Sequence, residues 1–399
     1  MSISFDLNKI YQYLLISLFF LLPLTVFGAN LIIVLICIIW LISGNYKSKY
    51  YQIIDNKLMI ASIIFFCIHV LGLLWTEDLM WGLNIVHKMW YFIGLLPILF
   101  TIVKKDYLRS YISAFLLAIF ITEVCSYLVW FEIIEPFKNA TVSNPTPFMS
   151  HISYNPILAF AIYLVLFEIF FNKKITNFKF SLYIFFELSM SVNMFITGGR
   201  AGQVVFFIIL AVLIIQIFDK QRIKSFIAII IVIPGVFFTA YQTSDLFQKR
   251  VDVAIYEVIT VNNESRNSVG YRINFLKNSL SLIQQNKLIG VGTGDFPNEY
   301  RKINNINSPI LPEATNPHNM YILVLSQLGI IGLISMLSIF YYQIKLSLIS
   351  SDNLIRKVGM ILPIMFLVIM FSDSYLLGHY TTLMFVLFSS FLYKDFERH

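Results

Sequence analysis

The sequence predicts an all-α, polytopic integral membrane protein with about twelve transmembrane helices and one large, partly helical outer loop. The 399 residues are 58% hydrophobic and only 13% charged, with a mean hydropathy of +0.76, a composition outside that of soluble domains. Apolar runs near the ~20 residues that a helix needs to cross the hydrocarbon core recur along the chain. They lack the polar–apolar alternation of membrane-barrel strands. The basic residues fall between these runs, so the net charge of +7 is a topology signal and not a nucleic-acid footprint.

In chain order the expected spans are 11–28, 30–43, 57–75, 84–103, 109–130, 153–172, 180–197, 202–218, 223–241, 319–343, 355–372 and 375–393. The first apolar run leads straight into the second, so it is not read as a cleavable signal peptide. If the N-terminus is cytoplasmic, one set of connections carries Lys47, Lys49, Lys104, Lys105, Lys173, Lys174, Lys220, Arg222, Lys345, Arg356, Lys357 and Lys394. The opposite set has only Lys88, Lys138 and Arg200 in its short loops, beside the acidic pair Glu77-Asp78. That is the positive-inside pattern, and it puts both termini in the cytoplasm. The chain then divides into residues 1–241 (spans one to nine), 242–318 (an outer loop) and 319–399 (spans ten to twelve with a cytoplasmic end).

Two outer connections exceed hairpin length. Residues 131–152 are rich in turn formers, with Pro136, Asn144, Pro145 and Pro147 before His151. A loop as long as 242–318 is usually functional or disordered, and this one has apolar stripes at helical spacing over Asp245–Thr260 and Tyr271–Gln285. Two surface helices joined by the polar Asn262–Gly270 are expected. Cys37, Cys67 and Cys125 sit within apolar runs and read as small core residues, not as a disulfide set or a metal site.

The candidates for chemistry lie on the outer side. His318, in Asn316-Pro317-His318-Asn319, stands at the mouth of a span. A neutral imidazole there can take a proton near pH 7, and Asn319 can cap the helix that follows. A histidine that merely satisfies its interfacial neighbours is the plainer alternative. Arg200, within Thr197-Gly198-Gly199-Arg200-Ala201-Gly202, offers a guanidinium fork among small residues; anchoring to lipid headgroups is the competing reading. Arg272 opens the second surface helix in a loop that also holds Lys249, Arg250, Arg266, Lys277, Lys287, Arg301 and Lys302; such a cluster suits a pyrophosphate or an anionic glycan, with a solvated loop surface as the plainer reading for most of these positions. Gly290-Val291-Gly292-Thr293-Gly294 reads as a tight turn that holds the loop to the membrane, with the amides around Gly292 and Gly294 as secondary phosphate donors. Asp373 and His151 fall on the same side as His318, while Glu123, Glu187 and His69 lie at membrane depth as candidates to line a cavity. No Asp-x-Asp, His-x-x-x-His or Cys-x-x-Cys occurs, so metal-independent chemistry is the simpler proposal.

His318-Asn319, nine residues from Met320 to Leu328, and then Gly329-Ile330-Ile331-Gly332 resemble the motif of the O-antigen ligase family, which shares its fold with Wzy-type polysaccharide polymerases. The 290–296 segment, Arg200 in its glycine-rich setting and the twelve-span layout with one large periplasmic loop are similar as well. Gly199 departs from the serine that relatives often carry before the arginine. The resemblance implies an inverting glycosyltransferase of the bacterial inner membrane, active at its periplasmic face and needing no cofactor. Its donor would be a glycan on a polyprenyl diphosphate and its acceptor a sugar hydroxyl of lipid A–core, with His318 as base and Arg200 and Arg272 on the pyrophosphate. Membrane lipids, and no nucleic acid, are the other partners expected. A polymerase or a protein O-oligosaccharyltransferase would differ only in the acceptor. A transporter or flippase is the alternative of another class, although no internal symmetry supports it.

Overall fold

Short polar side chains set where many of the helices begin. In the computed structural model, which describes residues 6–138, 140–260 and 267–396, Asp6 opens α1 (Leu7–Leu21) and Thr25 opens α2 (Val26–Ile42). After the short α3 (Tyr46–Ile54), Asn56 opens α4 (Lys57–Leu71). Each cap accepts from a first-turn amide that has no partner inside its helix. Asp78 caps α5 (Leu79–Trp90), which runs through a π-helical turn at Tyr91–Leu95 into α6 (Leu96–Ile102). Pro97 gives the physical reason, because its ring crowds the preceding turn and offers no N–H to the ladder.

Next come α7 (Leu108–Trp130), α8 (His151–Phe171), α9 (Asn177–Ile196), α10 (Arg200–Phe218) and α11 (Arg222–Thr243). The long loop supplies α12 (Asp245–Ile259), α13 (Ser268–Gln285) and α14 (Phe296–Asn307). The chain closes with α15 (Met320–Ile349), α16 (Asn353–Ile369) and α17 (His379–Leu392). Among the described residues there is no strand, only a bridge between Thr141 and Asn144.

The described residues hold seven helical segments long and apolar enough to cross a membrane, or eight if α2 and α3, bent by 116°, count as one. The molecule is therefore all-helical and multi-pass. The other expected spans are helical too, but α1, α16 and α17 are shorter, and α9 does not reach the same apolarity. Packing separates centre from rim: 72% of the apolar window of α8 is buried, against 11% for α11. At one end of the bundle Lys394 donates to the carbonyls of Phe100 and Val103, and Asn56 donates to that of Tyr393. At the other end lie the 72–78, 131–150 and 370–378 connections and the loop helices, here called the loop face.

The loop is pinned by a glycine-rich turn that enters a break in α15. Gly329 has φ +60° and ψ −160° inside that helix, so the amides and carbonyls around it lose their helical partners. Residues 287–292 replace them: Val291 and Gly292 donate to Ser326 and Gln327, while Ile330 and Ile331 donate to Lys287 and Leu288. A Cβ on Gly329 would lie 2.3 Å from backbone atoms of Leu288. Asp295, buried beyond this turn, accepts from Thr76 Oγ1 at 2.7 Å and from the amides of Glu77 and Asp78 at 2.7 and 2.8 Å. The expected tight turn is thus present, and it fastens the loop to the ends of α4 and α5.

Several expectations need correction. Cys67 is exposed on α4, and Cys37 and Cys125 are half-buried, so the three are not core residues. Lys88 does not belong to a connection but lies in the third turn of α5. His69 is buried with Nδ1 2.9 Å from the Phe65 carbonyl, and Glu123 is buried against Ser189; of the membrane-depth candidates, Glu187 does line a cavity. Helix α14 falls in a stretch left without a helix by the sequence pattern. The two expected surface helices are α12 and α13, while part of the Asn262–Gly270 joint, with Arg266, lies outside the described residues.

Candidate functional site

The turn that carries His318 is tied at both flanks to the 370–374 segment. Asn316 Oδ1 accepts from the His318 amide at 2.9 Å and from Ser374 Oγ at 3.0 Å. On the far side Asn319 caps α15 through the Ile322 amide, its Nδ2 donates to Phe371, and the Met320 amide donates to Met370. His318 itself has φ +51°, a conformation uncommon outside glycine and held here by these contacts. Its Nδ1 lies 3.4 Å from Asp373 Oδ1, and its side chain remains 45% exposed. Phe275 of α13 stacks on the imidazole at 6.2 Å between ring centroids, with 29° between planes.

Burial opposes ionisation of Asp373, yet its hydrogen bond with His318, the Ser374 amide and the charges of His318 and Arg272 together hold the carboxyl below its ordinary range. Near neutral pH it is a carboxylate directed at the imidazole, an arrangement that orients the ring.

Arg200 begins α10, and glycines let that helix start close against α8. A Cβ on Gly199 would lie 2.5 Å from the His151 carbonyl, and one on Gly202 2.3 Å from Asn155 Cβ. Thr197 Oγ1 donates to Asn155 Oδ1 at 2.9 Å, and the Gly198 amide donates to Asn144 Oδ1 at 2.9 Å. Asn144 Nδ2 in turn is 2.8 Å from His151 Nδ1. The result is a rigid ledge from which Arg200 reaches Glu257 of α12, 3.9 Å away. Arg250 lies alongside: a Cβ on Gly198 would stand 3.4 Å from its Nη2. Arg200 is within electrostatic reach of Arg250, Glu257 and Arg272. Arg272 also acts on Asp373 and Tyr375, so it links the guanidinium group to the His318–Asp373 pair.

Of the sequence candidates, His318, Asn319, Asp373, Arg200 and Arg272 therefore gather at the loop face, with His151 at the edge beside Arg250. Gly292 and Gly294 do not join them: they pack on Thr76 and Gly82, and the Gly292 amide is already bonded to Gln327. Arg250 was named in the sequence only as one of the loop's basic cluster, and Glu257 and Asn144 were not proposed for the site. A signal for Glu257 was available, because it stands seven residues from Arg250 on one face of α12. Among the described residues the guanidinium groups of Arg200, Arg250 and Arg272 neighbour one another, with Glu257 and Asp373 as the nearby carboxylates, and planar forks so placed can give charge-assisted hydrogen bonds to an anion.

Residues 184–337 match the family model described as O-antigen ligase. The match contains Arg200, Arg250, Arg272 and His318, while Asp373, Asn144 and His151 fall outside it. No curated protein matches the chain. The family match supports glycan transfer of the ligase or polymerase type.

Proposed function

We propose that this chain, a member of the O-antigen ligase family, is an inverting, metal-independent glycosyltransferase of the bacterial inner membrane, with its site facing the periplasm. Its donor is a glycan on a polyprenyl diphosphate, and its acceptor is a sugar hydroxyl of lipid A–core. The observation that carries this reading is the meeting of the His318–Asp373 pair with Arg200, Arg250 and Arg272 at one face of a multi-pass bundle.

In this reaction His318, held through Nδ1 by Asp373, takes the acceptor's hydroxyl proton on its other nitrogen. The acceptor oxygen bonds to the anomeric carbon from the side opposite the leaving group, and the bond from that carbon to the diphosphate oxygen breaks. Both electrons leave with the polyprenyl diphosphate, and Arg200, Arg250 and Arg272 stabilise the charge growing there. The imidazolium then releases its proton to water.

A cleft of about 1460 Å³ between α9, α10 and α11 supports the lipid donor. Phe195, Leu210, Leu213, Val232 and Val236 line it, and it reaches Lys249, next to Arg250. A prenyl tail lying there brings its diphosphate to the guanidinium groups.

The test is transfer in vesicles holding the full chain, a lipid-linked glycan donor and lipid A–core. His318→Ala is expected to lower kcat by about 10²–10⁴-fold, the range for removing a general base, with donor binding retained. Transfer at the wild-type rate would remove His318 as the base. Replacing lipid A–core by a second carrier-linked glycan or by a peptide distinguishes ligase from polymerase and from protein transferase.

A further inference from the structure

A second cavity, of about 450 Å³, opens beside the His318–Asp373 pair and shares no lining residue with the apolar cleft. Asn316, Asp373 and Ser374 form the wall it has in common with the catalytic turn. Helix α5 contributes Trp81, Ile85 and Lys88 to the lining. Their spacing of four and then three residues places them on one face of the helix. The volume is that of a small-ligand site, for which roughly 300–1,000 Å³ is usual.

Lys88 is the informative member. It stands about 13 Å along α5 from the Asp78 end, inside the apolar segment Leu79–Ile102. A cation within a membrane-crossing segment is costly and characteristically faces a hydrated cavity with a partner. Among the described residues no carboxylate lies within ion-pair distance of Lys88. Asp373, which also lines the cavity, is engaged with His318. The cavity thus presents an ammonium that no carboxylate among the described residues pairs with and, at Trp81, a partly exposed indole that offers an apolar platform to the C–H face of a sugar ring.

We propose that this cavity is the acceptor subsite, in which Trp81 supports the ring of the incoming sugar and Lys88 selects an acceptor bearing a phosphate or carboxylate. The term acceptor rests on the transferase reading above; the preference for an anionic sugar does not. At the Asn316–Asp373 wall a bound sugar lies beside His318, whose Nδ1 is 3.4 Å from Asp373.

Saturation-transfer NMR on the full chain in detergent micelles tests this with glucose 1-phosphate, glucuronate and glucose. Wild type is expected to bind both anionic sugars about tenfold more tightly than glucose, the effect of one charge-assisted hydrogen bond. Lys88→Gln should bring all three to the glucose level, Lys88→Arg should keep the preference, and Trp81→Ala should weaken all three. Equal binding of the three sugars by wild type, or a preference that survives Lys88→Gln, overturns the assignment of Lys88. Sugars indifferent to Trp81→Ala overturn the platform. His318→Ala is expected to keep the anionic preference while losing transfer; if transfer persists in that variant but the preference follows Lys88, the catalytic reading fails and this site stands.

Discussion

At Asp373, burial works against the charge, while the His318 contact and the Ser374 amide work for it, and the net effect is a carboxyl held below its ordinary range. A depressed folded-state pKa contributes stability that is fully present above the unfolded value, 3.8 for this group, and is lost as pH falls through the folded value. The thermal midpoint of wild type should therefore exceed that of Asp373→Asn by a constant margin at pH 5–7, and the margin should shrink as pH drops below that unfolded value. The same variant should transfer glycan with kcat lower by about 10²-fold, because the imidazolium loses its counter-charge, while its KM for donor stays near wild type. A kcat within about twofold of wild type would leave Asp373 a purely structural role. Arg250 makes the complementary case. Arg250→Ala should reduce kcat/KM for donor by about 10²-fold, as removal of a charge-stabilising donor does, and Arg250→Lys should recover only part of it, since a point charge replaces a planar fork. An Arg250→Ala variant with unchanged kcat/KM would exclude it from the diphosphate site. His318 was legible because Asn-Pro-His-Asn punctuates a long apolar run. Its pairing with Asp373 and the approach of Arg250 to Gly198 were not, because both are contacts between segments remote in the chain.

Helix α15 illustrates what a pattern of apolar residues hides. The run from Met320 is continuous, and a glycine within it reads as tolerated, so the sequence showed no break. The break arises because another segment, 287–292, supplies the hydrogen bonds that a regular helix would have made. The conformation of Gly329 lies in the left-handed half of backbone space, and its missing Cβ is the space that Leu288 occupies. Gly329→Ala should then destabilise by about 3 kcal/mol or more, seen as a large drop in the thermal midpoint in detergent. Restoration of that midpoint by Gly in place of Leu288 is not expected, because the clash is with backbone. A Gly329→Ala protein as stable as wild type would refute the docking of the loop. Elements with a clear apolar stripe, α12 and α13, were legible at nearly their observed bounds. Helix α14 was missed because asparagine is a weak helix former and is abundant here: Asn304 takes a buried position beside Phe296 and Tyr300, where an apolar residue would have completed the stripe.

On the scale of the molecule, the exposure of α11 connects architecture to substrate. A helix that buries 11% of its apolar window contributes little to the bundle's own packing; its inner side instead forms one wall of the cleft shared with α9 and α10. The membrane class was legible from composition, since it depends only on apolar content arranged in long runs. The cleft was not legible, because a helix standing off its neighbours has the same apolar sequence as one packed against them. If a prenyl tail occupies this cleft, filling it should act on the tail and not on the chemistry. Val236→Trp, at mid-cleft on α11, is expected to raise KM about tenfold for a long-tailed donor, equivalent to roughly 1.4 kcal/mol of lost binding, with little change in kcat. A donor with the same glycan and diphosphate on a tail too short to reach Val236 should show the same KM in both proteins. Equal KM values for the long-tailed donor in wild type and variant would place the tail elsewhere, and an effect of the same size on both donors would mean that the substitution disturbs the guanidinium site itself.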